Sequence, residues 1–117
     1  MWRAVSRMKR EFPTAYDHIC PLTYIFPEDY KRFKLDFEKD PKTMWIMKPA
    51  ASSCGRGVKV LTKNSNVPRR SGVVVSKYIH SHLLNGFKYD LRVYVLVTSF
   101  EPLRIYLFEE GLTRFAT

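Results

Sequence analysis

Lys88, Asp90 and Arg92 occupy alternate positions in the segment Lys88-Tyr89-Asp90-Leu91-Arg92-Val93-Tyr94. Side chains alternate along an extended strand, so these three charges share one face while Tyr89, Leu91, Val93, Val95 and Val97 share the other. Charges set into a core-type strand are costly unless their face lines a cleft or they pair among themselves. Two arrangements fit. In one, Lys88 and Arg92 hold phosphates or ribose while Asp90 orients them or bonds a sugar hydroxyl. In the other, the three charges form a salt-bridge ladder on a solvated face. Arg104 and Arg114 also sit within apolar strand patterns, where an arginine is either a ligand contact or simply solvent-facing.

A second chemistry-bearing stretch begins at Lys48, which ends an apolar run and is followed by Pro49-Ala50-Ala51-Ser52-Ser53-Cys54-Gly55-Arg56-Gly57-Val58. Small side chains and two glycines allow backbone N–H groups to approach phosphate oxygens, while Lys48 and Arg56 supply positive charge. The stretch has no Gly-Lys-Ser/Thr, so it suits a flap over phosphates better than a Walker loop. A plain β-turn carrying a solvated Arg56 fits the same spacing. His80 and His82 would share one face of an extended segment, but His18 is the only other histidine and a zinc site is not expected. Cys20 and Cys54 have no Cys-x-x-Cys spacing, which points to free thiols.

These residues need a scaffold, and the patterning supplies one. Tyr30, Phe33 and Phe37 recur at helical spacing behind Pro27, Glu28 and Asp29, predicting a helix over residues 28–38 with acidic residues in its first turn and Pro41 beyond its end. Short strands are predicted at 44–47, 58–61 and 72–75, a long one at 88–99, and two more at 104–108 and 112–116. The polar loop 63–71 reads as a mobile surface connection. A helical or irregular first third followed by strands indicates an α+β chain rather than alternating βαβ units.

Composition narrows the field. The chain has 117 residues, with 20 Lys plus Arg against 11 Asp plus Glu and a net charge of +9. That balance favours a polyanionic partner such as phosphate, nucleic acid or an acidic peptide. No apolar run approaches the roughly 20 residues of a spanning helix. The basic N-terminal segment lacks an apolar core of signal-peptide type, so neither secretion nor a membrane location is expected.

Taken in order, Trp45-Ile46-Met47-Lys48-Pro49, Gly55-Arg56-Gly57-Val58, Ser76-Lys77-Tyr78-Ile79, Phe87-Lys88-Tyr89-Asp90-Leu91-Arg92-Val93-Tyr94-Val95 and Arg114-Phe115-Ala116-Thr117 resemble the tubulin tyrosine ligase-like family. The likeness is strongest to its tubulin polyglutamylase branch. It implies an ATP-grasp fold of α+β type, with residues 1–43 an N-terminal portion and 44–117 the nucleotide-binding strands of the central lobe and the first strands of the C-terminal lobe. It implies ATP and Mg2+ as cofactors, tubulin or microtubules and free L-glutamate as partners, and a cytoplasmic, cytoskeletal location extending to cilium or basal body. Nucleic acid and membrane are not implied.

The same resemblance assigns roles. Lys48 would contact the ATP phosphates, with Arg56 and Gly57 in the loop above them. Ser76, Lys77, Tyr78 and Ile79 would surround adenine, where backbone groups read the base and Ile79 packs on it; many members carry Gln at the position of Ser76. Lys88 and Asp90 would meet ribose and phosphates, with Tyr89 counted beside them. Arg92 would be catalytic, facing the transferring phosphate, and Arg114 would hold the carboxylate of incoming glutamate. The magnesium ligands are expected downstream of Thr117, so the resemblance implies a fragment of a polyglutamylase. Two other readings remain: a non-catalytic product that binds nucleotide or acidic tubulin tails through its charge, and a basic nucleic-acid-binding β module. The aromatics interleave with aliphatics in a core-like pattern, which disfavours the last.

Overall fold

The computed structural model describes residues 1–52 and 55–116. Ser53, the Cys54 thiol and Thr117 lie outside the described residues. Cys20 is free. The fold is α+β, and every strand pairing is antiparallel. The chain forms two units, Met1–Ile79 and a second beginning at His80.

In the first unit, α1 (Trp2–Glu11) is built of good helix formers and ends with Lys9 and Arg10 at its negative dipole end. Phe12-Pro13 stops it, and Pro13 begins the short α2 (Pro13–Tyr16). Lys9 then donates to the Asp17 carbonyl at 3.1 Å. Next comes β1 (Thr23–Phe26), then α3 (Tyr30–Lys39), β2 (Trp45–Pro49), β3 (Lys59–Leu61) and β4 (Val73–Lys77). The sheet order is β1-β4-β2-β3.

Helix α3 starts two residues later than its acidic residues suggested. Asp29 stands at the N-cap position without capping, because its Oδ2 accepts the Ile25 N–H at 2.9 Å and so ties the helix start to β1. At the other end Asp40 accepts from the Lys42 N–H at 3.1 Å and the Thr43 hydroxyl at 2.7 Å, turning the chain toward β2. These two bonds, the Thr43 one foremost, hold the Asp40 carboxyl below the usual carboxylate range.

Helix and sheet enclose an aromatic core. The Phe33 ring lies 5.6 Å from Tyr24, 5.4 Å from Phe26, 5.2 Å from Phe37 and 5.3 Å from Trp45. Met47, Leu61, Val73 and Val75 complete it from the sheet. Loop 63–71, expected to be a mobile connection, is pinned instead: Val67 is buried in the core and its carbonyl accepts the Tyr30 hydroxyl at 3.1 Å.

The second unit is a three-stranded sheet of β5 (Leu83–Leu84), β6 (Phe87–Phe100) and β7 (Leu103–Phe115), in that order. The two strands predicted at 104–108 and 112–116 are one. Between the pairs Val93↔Gly111 and Val95↔Leu107 the ladder shifts, so Glu109 and Glu110 fall within an irregularity of β7 and not in a loop. No helix among the described residues is long and apolar enough to cross a membrane.

Candidate functional site

Sheet register sorts the first unit's side chains into two faces. Tyr24, Phe26, Trp45, Met47, Val73 and Val75 point into the aromatic core. The alternate residues therefore form the opposite face, where one row runs Thr23, Ser76, Ile46, Val60 and the next runs Ile25, Val74, Lys48. The result is an apolar, half-open surface with one hydroxyl pair and one exposed cation. Such a surface can take a flat base on its aliphatic part and a phosphate at Lys48. Lys48 and Ser76, both named by the resemblance, lie on one face in adjacent rows. Thr23, Ile46, Val60 and Val74 were not singled out from sequence, although counting alternate positions from the core residues would have found them.

The loop after β2 folds back on that strand's end. Gly57 has φ +73°, and a β-carbon there would stand 2.9 Å from Pro49 Cγ, so only glycine fits. Ala50 N–H bonds to the Gly72 carbonyl at 2.8 Å, and the Ser52 hydroxyl donates to the Arg56 carbonyl at 3.1 Å, leaving the Arg56 side chain exposed. At the far end of β4 the Lys77 N–H donates to the Leu22 carbonyl at 2.8 Å and the Tyr78 N–H to the Met44 carbonyl at 2.9 Å. Among the described residues the Ile79 N–H has no acceptor, which makes it the available backbone donor of this segment; its side chain is 65% exposed.

In the second unit Asp90 and Arg114 stand directly opposite across β6 and β7. Arg114 Nε donates to Asp90 Oδ1 at 2.8 Å and Nη2 to Oδ2, a two-pronged pair. The Arg114 hydrogen bond holds the Asp90 carboxyl below its ordinary range, with Arg114 and Arg92 charges adding to the effect, and the same bond raises Arg114. Of the five guanidinium hydrogens, those on Nη1 and the second on Nη2 stay clear of Asp90, so the outer edge of Arg114 can still grip a second carboxylate. Lys88, Tyr89, Asp90, Arg114, Phe115 and Ala116 line one depression of about 370 Å³. The Lys88 carbonyl accepts the Ala116 N–H at 2.8 Å, and the Tyr89 hydroxyl lies 3.2 Å from His82 Nδ1.

The strand alternation read from sequence thus has a cross-strand partner that sequence did not show, namely Arg114 for Asp90. Arg92 lies two residues further along the same face, opposite Leu112, and is exposed. The apolar set expected on the other face is also open: Leu91 and Val95 are more than half exposed. Among the described residues no three His, Cys, Asp or Glu side chains group closely enough to hold a metal ion.

The model of the tubulin-tyrosine ligase family matches residues 1–117. Tubulin monoglutamylase TTLL4 of Mus musculus is 43% identical over 118 residues, covering 100% of this chain and 10% of that protein. Tubulin polyglutamylase TTLL5 of Homo sapiens is likewise 43% identical, over 100% of this chain and 9% of its own length. A probable beta-tubulin polyglutamylase of Tetrahymena thermophila is 40% identical over 98% of this chain and 10% of that protein. The chain spans about a tenth of the length of these relatives.

Proposed function

The chain belongs to the tubulin-tyrosine ligase family, and on that premise we propose that the protein carrying it is an ATP-dependent ligase that adds glutamate to glutamate side chains of tubulin tails. The observation that carries the proposal is the 43% identity to tubulin glutamylases along the entire chain. In this reading the chain contributes part of an ATP-grasp fold, and the protein acts at the cytoskeleton, with cilia and basal bodies among its places.

The outer face of the four-stranded sheet supports a nucleotide there. Ile46, Val60 and Val74 give an aliphatic bed for the base, and Lys48 in the adjoining row meets the phosphates. The Ile79 N–H, without an acceptor among the described residues, suits a ring nitrogen of adenine, and the Ile79 side chain packs on the base. Arg56 and Gly57 close over the phosphates. In the second unit, Lys88, Tyr89 and Asp90 serve ribose and phosphates, Arg92 neutralises charge on the transferring phosphate, and the outer edge of Arg114 holds the carboxylate of free glutamate. Transfer of the terminal phosphate of ATP to the acceptor carboxylate releases ADP and makes an acylphosphate; the amino group of free glutamate then attacks its carbonyl carbon, forming the amide bond and releasing inorganic phosphate and a proton. Magnesium belongs to the same proposal, with ligands supplied from outside this chain.

The test uses the full-length protein with tubulin, ATP and labelled glutamate. ATP-dependent incorporation is expected, and Lys48→Ala should lower it at least about a hundredfold with folding retained, because Lys48 is exposed and its loss removes charge rather than packing. Absence of incorporation by the unaltered protein, or equal turnover in Lys48→Ala, would overturn the respective assignment.

A further inference from the structure

Thr23 and Ser76 face each other across β1 and β4 with their hydroxyl oxygens 2.9 Å apart. Taken alone, either could donate. Thr23 Oγ1, however, also lies 2.9 Å from the Pro21 carbonyl, a group that only accepts, and a hydroxyl carries one proton. Thr23 therefore donates to Pro21, and the proton in the Thr23–Ser76 bond must come from Ser76. The relay runs Ser76 to Thr23 to Pro21, with Thr23 9% exposed and both bonds partly shielded from water. Ser76 is left with lone pairs only, on the face that also carries Ile46, Val74 and Lys48.

We infer that Ser76 is a polarity-fixed acceptor that selects a purine nucleotide bearing an exocyclic amino group over one bearing a carbonyl at that position. The inference rests on the nucleotide reading proposed above. An amino group donates to Ser76 Oγ. A carbonyl would set lone pair against lone pair, and rotating the Ser76 proton outward to meet it would break the bond to Thr23 in a shielded place. Thr23 touches no ligand in this scheme. It acts as a positioning residue that fixes which way the Ser76 proton points.

The experiment is calorimetric titration of the full-length protein with ATP, with inosine triphosphate, and with purine riboside triphosphate, which keeps the ring nitrogens of adenine and lacks its amino group. The unaltered protein should prefer ATP to both. Thr23→Val frees the Ser76 proton, and Ser76→Ala removes the acceptor; each should narrow the ATP preference over inosine triphosphate by about tenfold. Thr23→Ser retains the relay and should keep the preference. With Ser76→Ala, ATP and purine riboside triphosphate should bind nearly alike. ATP binding with an unchanged preference in Thr23→Val and Ser76→Ala would overturn the relay and leave the nucleotide reading standing. Failure of the unaltered protein to bind any of the three would overturn the nucleotide reading, and this inference with it. Should Thr23→Val prove unfolded by circular dichroism, Ser76→Ala, at a partly buried position, decides alone.

Discussion

Tyr24 joins β1 to α3 by donating its hydroxyl to Asp36, and it is the core residue whose polar tip matters most. Burial, then the bond and charge of Asp36, push its phenol well above the usual range. A raised pKa means the folded state favours the protonated form; the stabilisation is complete below the unfolded phenol's pKa of about 10 and is lost as pH rises above it. Tyr24→Phe should therefore cost about 1–2 kcal/mol near neutral pH and show a flatter alkaline decline than the parent chain. Urea midpoints at neutral and alkaline pH measure both, and parallel declines would refute the link. Asp90 works in the opposite sense. Its depressed carboxyl keeps the pair with Arg114 above the unfolded pKa of about 3.9 and releases it only as pH falls through the lower folded value. A carboxyl-detected NMR titration should place the Asp90 midpoint below that of a free aspartate, and Arg114→Met should return it to the ordinary range.

The elements show what patterning reveals and what it hides. Lys48 at the end of an apolar strand, and the alternation at 88–92, were plain because each depends on neighbours in the sequence. Strand β1 was not: Thr23-Tyr24-Ile25-Phe26 sits between Pro21 and Pro27 and has three large apolar residues in four, too short and too uniform to show a period of two. The break read between residues 108 and 112 came from Glu109-Glu110-Gly111, whose polarity imitates a turn, whereas the strand continues through an irregular ladder. Pairings across distance were invisible for a different reason. Thr23 with Ser76 and Asp90 with Arg114 are separated by 53 and 24 residues, and their meeting is set by register, which loops and bulges decide. Gly111 marks one such register point: a β-carbon there would lie 2.7 Å from the Arg92 carbonyl oxygen. Gly111→Ala must push β7 away from β6 beside Arg92, with an expected cost of about 1–3 kcal/mol. Thermal unfolding of the two chains side by side checks this, and an unchanged midpoint would show that the strands do not approach so closely.

At the scale of the whole molecule, apolar burial is uneven. The buried core belongs to residues before Ile79, while Leu91, Phe100, Leu103, Leu107 and Phe108 of the long hairpin are each more than half exposed. Strand β5 pairs with only Lys88 and Phe87 of β6, and β7 forms the other side of its sheet with no further strand beside it among the described residues. An open edge beside exposed apolar side chains invites pairing with another copy. Net charge of +9 opposes that contact, and salt screens the repulsion while strengthening apolar association. The isolated 117-residue chain should accordingly scatter light as its 13.8 kDa monomer at low salt and as larger species when salt is raised. Leu107→Lys, which puts a charge on the open strand without touching the aromatic core, should move the onset to higher salt. A monomer at every salt concentration would mean that the hairpin's apolar surface does not drive association, and an onset insensitive to Leu107→Lys would place the contact elsewhere on the chain.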